Sequence, residues 1–251
     1  MKVKIATWNM AYWSHKKYFE EAWNYFLNEL DANIFFFQEA KPPKTINHQN
    51  LIWHNAGKSI GRRDWGTGIY SKKYKLSEEP EESIPESSRP LFKELCIVAN
   101  IKIEGVKLTL ISLYGRLDKL GNGPAYCMPN LHRVLSDLTG ILNGHINGKR
   151  NIVLGGDLNA SIQCDNKWGG NAHKIFFDRM NDFKLDDCFK LKGYKDFIQT
   201  HRHRGSKDKW QNDYIFISKS ISKKFVDCEV VDTPKVRKYS DHNIVIITLN
   251  L

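Results

Sequence analysis

The chain reads as an α/β protein, and three stretches predict that class. Residues 2–37 run strand, helix, strand, and the second strand, Ile34-Phe35-Phe36-Phe37, is apolar on both faces, as a βαβ unit or an α/β layer requires. Leu95–Ile103 and Val106–Leu113 form two strands turned at Glu104-Gly105, a hairpin signal. Asn151–Asn159, N-I-V-L-G-G-D-L-N, is a short apolar strand broken by two glycines and followed at once by an acid and an amide.

Taken in order, the first strand alternates, with Lys2 and Lys4 outward and Val3 and Ile5 inward, and it ends in Thr7-Trp8-Asn9. From Lys16 to Leu30, the residues Tyr18, Phe19, Ala22, Trp23, Phe26, Leu27 and Leu30 fall on one face of a helix, so Trp23 and Phe26 are expected in the core. The strand at Ile34 ends in Gln38-Glu39, and Lys41-Pro42-Pro43 stops it. Leu51–Trp53 and Thr67–Tyr70 read as strands, with a basic loop between them that carries Arg62, Arg63 and Trp65. Glu78–Arg89, acidic and holding Pro80 and Pro85, reads as an exposed loop. After the hairpin come Tyr114-Gly115-Arg116, a loop with Gly121, Gly123, Pro124 and Pro129, and a helix over about 131–142. Asp165–Asn171 reads as a polar loop holding Trp168, and Ile175–Phe183 as a helix. A basic run, Thr200–Lys209, feeds Asn212-Asp213 and the strand Tyr214–Ile217. Phe225–Val231 reads as a strand, a second basic run, Lys235–Lys238, feeds Ser240-Asp241-His242, and Ile244–Leu249 closes the chain as a strand.

The 251 residues suffice for one large core or two small ones, and no linker composition marks a boundary, so residues 1–251 are expected to form a single domain. Hydrophobic content of 41% and charged content of 26% are those of a soluble globular protein, and no apolar run reaches a membrane span. The N-terminus reads as a strand rather than a signal peptide, which leads us to expect a cytoplasmic, intracellular protein without stable membrane association, and a monomer. Cys96, Cys127, Cys164, Cys188 and Cys228 are scattered and odd in number, which argues against a disulfide framework or a structural zinc site. The net charge of +10 favours a polyanionic partner, nucleic acid first.

Asn9, Glu39, Tyr114, Asp157, Asn159, Asp213, Asp241 and His242 all stand at strand ends beside apolar runs. One such residue is what any turn carries. Together they supply carboxylates for a metal, amides for a phosphate and an imidazole that a carboxylate can orient. In an extended segment Asp157 and Asn159, two apart, point to the same side.

The motifs T-W-N, F-Q-E-A-K, G-D-L-N, N-D-Y-I-F-I-S and S-D-H-N, in that order from Trp8 to His242, resemble those of the endonuclease/exonuclease/phosphatase superfamily, which includes pancreatic-DNase-like and exonuclease-III-like nucleases. The resemblance implies a four-layer α/β/β/α sandwich of two packed mixed sheets with outer helices, and a site at one end. It implies that Asn9 and Glu39 hold a divalent cation, Mg²⁺ or Mn²⁺, with Asp241 near it or at a second position. It implies that Asp157 activates the attacking water, Asn159 and Tyr114 bind phosphate, and His242, oriented by Asp213, contacts the scissile phosphate. Exonuclease-III-like members carry an acid shortly after the first Asn; here Met10-Ala11-Tyr12 follow, so the metal shell rests more on Glu39.

The expected activity is metal-dependent cleavage of nucleic acid, DNA ahead of RNA. A phosphomonoesterase or phospholipase-type hydrolase of phosphoinositides or other phosphorylated small molecules is the second reading, and a non-catalytic nucleic-acid-binding module the third. Arg116, Trp168, Arg202 and Arg204 are candidates for binding substrate, the arginines by phosphate and Trp168 by a base. Lys207 and Lys209, and Lys235, Arg237 and Lys238, crowd just upstream of Asp213 and Asp241 and would draw in a phosphate backbone. Trp65 is a second stacking candidate or a packed core residue, and the His201-x-His203 pair reads as part of a basic segment meeting phosphate or solvent rather than as a metal site.

Overall fold

The computed structural model describes residues 1–56, 64–86, 89, 93, 95–119, 125–146, 150–203 and 205–251; Gly61, Arg62, Arg63, Arg204 and the loop with Gly121, Gly123 and Pro124 lie outside them. The strands in chain order are β1 (Lys2–Asn9), β2 (Ile34–Ala40), β3 (Leu51–Asn55), β4 (Gly66–Ser71), β5 (Ser77–Glu78), β6 (Cys96–Ile103), β7 (Val106–Leu113), β8 (Asp118–Lys119), β9 (Ala125–Tyr126), β10 (Ile152–Asp157), β11 (Leu185–Asp187), β12 (Asp213–Ser218), β13 (Phe225–Val231) and β14 (Ile244–Asn250). One six-stranded sheet runs β13-β14-β1-β2-β4-β3 and the other β11-β12-β10-β7-β6-β5. Both are mixed: β1 pairs parallel with β2 and antiparallel with β14, and β10 pairs parallel with β7 and antiparallel with β12.

The alternation of β2 shows how the layers arise. Phe35 and Phe37 meet Trp23 and Phe26 of the outer helical segment, with ring centroids 4.6 Å apart for Phe26 and Phe35 and 5.0 Å for Trp23 and Phe37. Ile34 and Phe36, on the other face, join Val3 and Ile5 against Leu110, Leu154 and Ile215 of the second sheet. That sheet's far side is covered by the helices Met128–Asp137, Thr139–Ile146 and Ala172–Asp182, through residues such as Leu131, Val134 and Phe176. The four-layer α/β/β/α sandwich is therefore present, with Trp23 and Phe26 in the core as expected.

Several local expectations are corrected. The segment before β2 is not one helix: it passes from α (Tyr12–His15) through 3₁₀ (Lys16–Tyr18) and α (Phe19–Asn24) to π (Tyr25–Glu29). In a regular helix neighbours point about 100° apart; here consecutive residues Tyr25 and Phe26 both edge onto Trp8, at 6.4 and 5.4 Å. The expected loop at 165–171 is mostly helix, Ile162–Trp168, begun by Ser161, whose hydroxyl accepts from the Gln163 amide, and ended by Gly169 at φ 82°. Its polar look reflects an outward-facing helix. Trp65 is buried and packs edge-on against Tyr114 at 5.6 Å, so it is not available to stack on a base. The stretch expected as an exposed acidic loop contributes β5 and a buried carboxylate, Glu79.

Glu79 accepts from Arg150 at 2.7 and 2.9 Å, from Asn100 at 2.6 Å and from Ser83 at 2.8 Å, tying the edge of the second sheet to the entrance of β10. Burial opposes its charge, but Arg150 and the other donors win and hold its pKa down at about 2. Its stabilisation is complete above the ordinary carboxylate range and is lost as pH falls through the folded value. Glu79→Gln is expected to cost on the order of 2–3 kcal/mol at pH 7. The penalty should shrink toward zero near pH 2, as read by urea midpoints across that range; a penalty independent of pH would show that the charge is irrelevant.

Candidate active site

The site lies where β1, β2 and β10 end, at the carboxyl edge of their parallel pairings, which is where open α/β sheets place their ligands. Val3, Ile5, Thr7 and Asn9 share the face of β1 that looks toward the second sheet, so continuing the strand brings Asn9 to the mouth between the sheets. Gly155 and Asp157 of β10 look back across the gap. A Cβ on Gly155 would stand 3.3 Å from the Phe36 ring and 3.0 Å from Ile215, so the glycine makes room for the core that carries the site.

Glu39 gets there by a bulge. The β2–β4 register slips between Phe37 and Ala40, and Glu39 itself takes φ 45°. Its neighbour Gln38 bridges the sheets by donating to Ser112 Oγ at 3.0 Å. The Glu39 carboxylate accepts from Tyr114 Oη at 2.8 Å and from the Trp13 indole N–H, and it also contacts the Asn9 amide. Burial is the main influence on this carboxyl and pushes its pKa up, against those donors and the charge of His242.

Asp157 is held from three directions. Oδ2 accepts from Asn9 Nδ2 at 2.8 Å and Asn159 Nδ2 at 3.0 Å, and Oδ1 from the Asn159 backbone N–H at 2.8 Å. The pairing of Asp157 with Asn159 is not the pleat expected from their spacing: β10 ends at Asp157, and Asn159 at φ 48° is turned back onto it. Asn159 spends its other Nδ2 proton on Gly115 O at 3.1 Å. Asn9 Oδ1 accepts from the Ala11 amide at 2.9 Å, which fixes the amide with its N–H₂ group toward the acids. As oriented, Asn9 offers these carboxylates a donor rather than the oxygen that a hard cation takes.

Asp157 stands directly opposite Asp213 in the β10–β12 register. Two buried acids so placed repel one another, and the imidazole of His242 lies against both. Its Nδ1 is 2.9 Å from Asp213 Oδ2 and its Nε2 3.9 Å from Asp157 Oδ2. Burial would lower the pKa of His242, but the charges of Asp213 and Asp157 outweigh it and hold the ring protonated; burial, reinforced by Asp213, lifts Asp157. The S-D-H segment is moored to β1: Ser240 Oγ donates to Asn9 O at 2.7 Å and accepts from the His242 amide at 3.0 Å, while the Trp8 indole donates to His242 O at 3.1 Å.

Asp241 lies beside His201 rather than Glu39, with 3.9 Å between its Oδ2 and His201 Nε2. The His201 ring stacks on His242 at 4.3 Å and 19° and is kept neutral by burial and the neighbouring charge. Among the described residues, potential ligand atoms of His201, Asp241 and His242 lie within 4.8 Å of one another, as do those of Asp157, Asp213 and His242; Glu39 falls in neither group.

Of the residues expected to bind substrate, Arg116 is paired with Asp118 at 2.8 Å, and its backbone carbonyl and that acid both accept from Asn130. Arg202 is held by Asp232 and Asn243. Both are paired within the fold in this structure. Arg204 lies outside the described residues. Lys235, Arg237 and Lys238 pair with Glu29, Asp232 and Glu21, so that basic run is largely neutralised by local acids. Trp168 is exposed and lies flat on Trp210. Trp13 and Ser240 join the site beyond the residues the sequence points to, and His201, expected in a basic segment, lies against His242. Ser240 was within reach because it adjoins Asp241-His242; nothing in the sequence marks Trp13 as a partner of Glu39.

A family model described as the Endonuclease/Exonuclease/phosphatase family matches residues 6–242. Among curated proteins, none matches by sequence. Among solved structures, the endonuclease domain of TRAS1, a telomere-specific non-LTR retrotransposon, superposes with a TM-score of 0.68 at 16% identity, covering 100% of this chain and 99% of that one. The AP endonuclease LMAP from Leishmania major gives 0.68 at 14% identity, with 100% and 88% covered. The 3′ phosphatase NExo from Neisseria, bound to a product DNA hairpin, gives 0.67 at 17% identity, with 99% and 100% covered. At these identities the likeness is one of fold.

Proposed function

Because the chain belongs to the endonuclease/exonuclease/phosphatase family, we propose that it is a metal-dependent phosphodiesterase that cleaves nucleic acid, DNA in preference to RNA. The observation that carries this reading is the excess of buried acid at one sheet end: Glu39, Asp157 and Asp213, with the His242 imidazole set against the two aspartates. The net charge of +10 favours a polyanionic substrate, and two of the similar folds are named endonucleases while a third holds DNA.

The donor set fits a hard divalent cation. Burial pushes Glu39 and Asp157 up against the charge of His242, and Asp213 Oδ1 is buried with no hydrogen-bond partner. Oxygen donors without a thiolate favour Mg²⁺ or Mn²⁺. Glu39 would hold the ion, with Asp241 the candidate at a second position, and Asn9 assists by fixing Asp157. When bound, the cation neutralises charge developing on the phosphoryl oxygens.

The chain's own groups do the rest. Asp157, its carboxylate fixed by Asn9 and Asn159, accepts the proton of the attacking water. Asp213 takes the Nδ1 side of His242, so Nε2 is the atom that donates to a phosphoryl oxygen. Tyr114, its hydroxyl proton given to Glu39, orients that carboxylate. Asn159, whose amide protons are both engaged, orients Asp157 instead of gripping phosphate.

The test is a substrate panel of supercoiled plasmid, single-stranded RNA and inositol phosphates, each with Mg²⁺ and with EDTA. Plasmid nicking that needs Mg²⁺ and exceeds RNA cleavage is expected. Phosphate release without nicking would move the assignment to a phosphomonoesterase, and DNA binding without turnover to a binding module.

A further inference from the structure

Trp168 is 68% exposed and yet held in place. It closes the helix Ile162–Trp168, which starts three residues after Asn159, and its ring stacks on Trp210 with centroids 5.3 Å apart and planes 16° apart. Trp210 is 7% exposed and donates its indole N–H to Ser206 Oγ at 3.2 Å. The helix is tied to the segment bearing Trp210 at several points. Gln163 donates to Lys209 O at 2.9 Å and accepts from the Gln211 amide at 3.0 Å, and Lys167 pairs with Asp208. The Lys167 ammonium stands 5.8 and 5.4 Å from the centres of the two indoles.

This assembly adjoins the candidate active site. The backbone of Trp210 pairs with His201, whose N–H donates to Trp210 O at 3.0 Å, and the His201 ring lies on His242. The indole pair is thus one backbone pairing and one ring stack away from the imidazole assigned to the phosphate. A large apolar ring left in water by a structured helix loses the burial that its size would provide. Fixing its plane beforehand removes much of the ordering cost of stacking something on it.

We propose that Trp168 is a stacking platform for an unpaired nucleobase beside the cleaved phosphate, so that the preferred substrate is single-stranded DNA or a single-stranded end. This rests on the nuclease reading above. A nucleobase within a duplex has both faces covered by its neighbours, whereas an unpaired one can present a whole face to the indole. Lys167, paired with Asp208 and set over both indoles, helps to fix the plane of the platform.

Binding in EDTA isolates the platform from hydrolysis. An oligodeoxythymidylate and a blunt duplex of the same length are titrated against the full chain, followed by quenching of tryptophan fluorescence and by anisotropy of a labelled strand. Trp168→Ala is expected to weaken single-strand binding by about 5- to 100-fold and duplex binding by less than about twofold, and Trp168→Tyr should restore most of the loss. Equal losses on both substrates, no loss on either, or failure of Trp168→Tyr to recover single-strand binding would overturn the platform. Plasmid nicking in Mg²⁺ reads the nuclease assignment separately, so either idea can fail while the other stands.

Discussion

Asp157→Asn is expected to lower turnover on DNA by about 10²–10⁴-fold while the protein stays folded. The amide keeps the size of the side chain and removes a buried charge that stands opposite Asp213, so the thermal midpoint should move by no more than a few degrees. What is lost is a carboxylate fixed by three donors and free of a full partner bond to His242. His242→Ala should lose a comparable factor. Because both residues act on one transition state, the double variant should fall within about tenfold of the worse single one. The pH profile supplies a second reading. Burial lifts Asp157 above the ordinary carboxylate range, so the rate should climb as rising pH ionises it, and fall at high pH as His242 gives up the proton that Asp213 and Asp157 hold on it. A bound cation moves the acid limb downward. Asp157→Asn should abolish that limb. Retention of more than a tenth of wild-type turnover, or an unaltered acid limb, would remove Asp157 from the role of base.

The fold was legible because its signals are periodic. Phe35 and Phe37 against Phe36 announce a strand buried on both faces, the alternation of Val3 and Ile5 with Lys2 and Lys4 announces a half-buried one, and the short apolar run before Gly155 announces another. The site was legible as a list, since polar residues ending such strands converge once the sheets pack. Its internal wiring was not. Glu39 is aimed by a bulge at φ 45°, and Asn159 meets Asp157 through a turn at φ 48°; neither leaves a trace in a pattern of apolar spacing. The partners of the arginines were not legible either: Arg116 and Arg202 stand next to site residues in sequence, and the fold sets Asp118 and Asp232 against them. His201 was visible as one of a pair, and only the pairing of its backbone with Trp210 and His242 shows which of the two rings faces the site.

The glycine pair before Asp157 gives the sharpest contrast between neighbouring positions. Gly156 adopts φ 151°, a conformation side chains rarely take, and a Cβ there would sit 1.8 Å from the carbonyl oxygen of Leu113, the last residue of β7. That oxygen belongs to backbone and cannot rotate away, so β7 and β10 must part or β10 must re-register. Gly155 has no such strain; its added methyl meets the Ile215 side chain and Tyr214 O at 3.0 Å and the Phe36 ring at 3.3 Å, and two of these neighbours are side chains that can shift. Gly156→Ala is therefore expected to cost about 3 kcal/mol or more, a fall of roughly 6–12 °C in midpoint for a chain of this size. Gly155→Ala should cost about 1–2 kcal/mol. Activity should diverge further than stability. Gly156 precedes Asp157 directly, and a shift of about 1 Å in a reacting group can cost about 10²-fold in rate, so whatever Gly156→Ala protein remains folded at low temperature should turn over at least that much more slowly. Gly155→Ala, with its disturbance absorbed between the sheets, should keep most of its turnover. Thermal melts and single-turnover rates on the two variants decide the matter. If Gly156→Ala proves as stable and as fast as Gly155→Ala, the close approach of β7 and β10 is not what sets Asp157 in place.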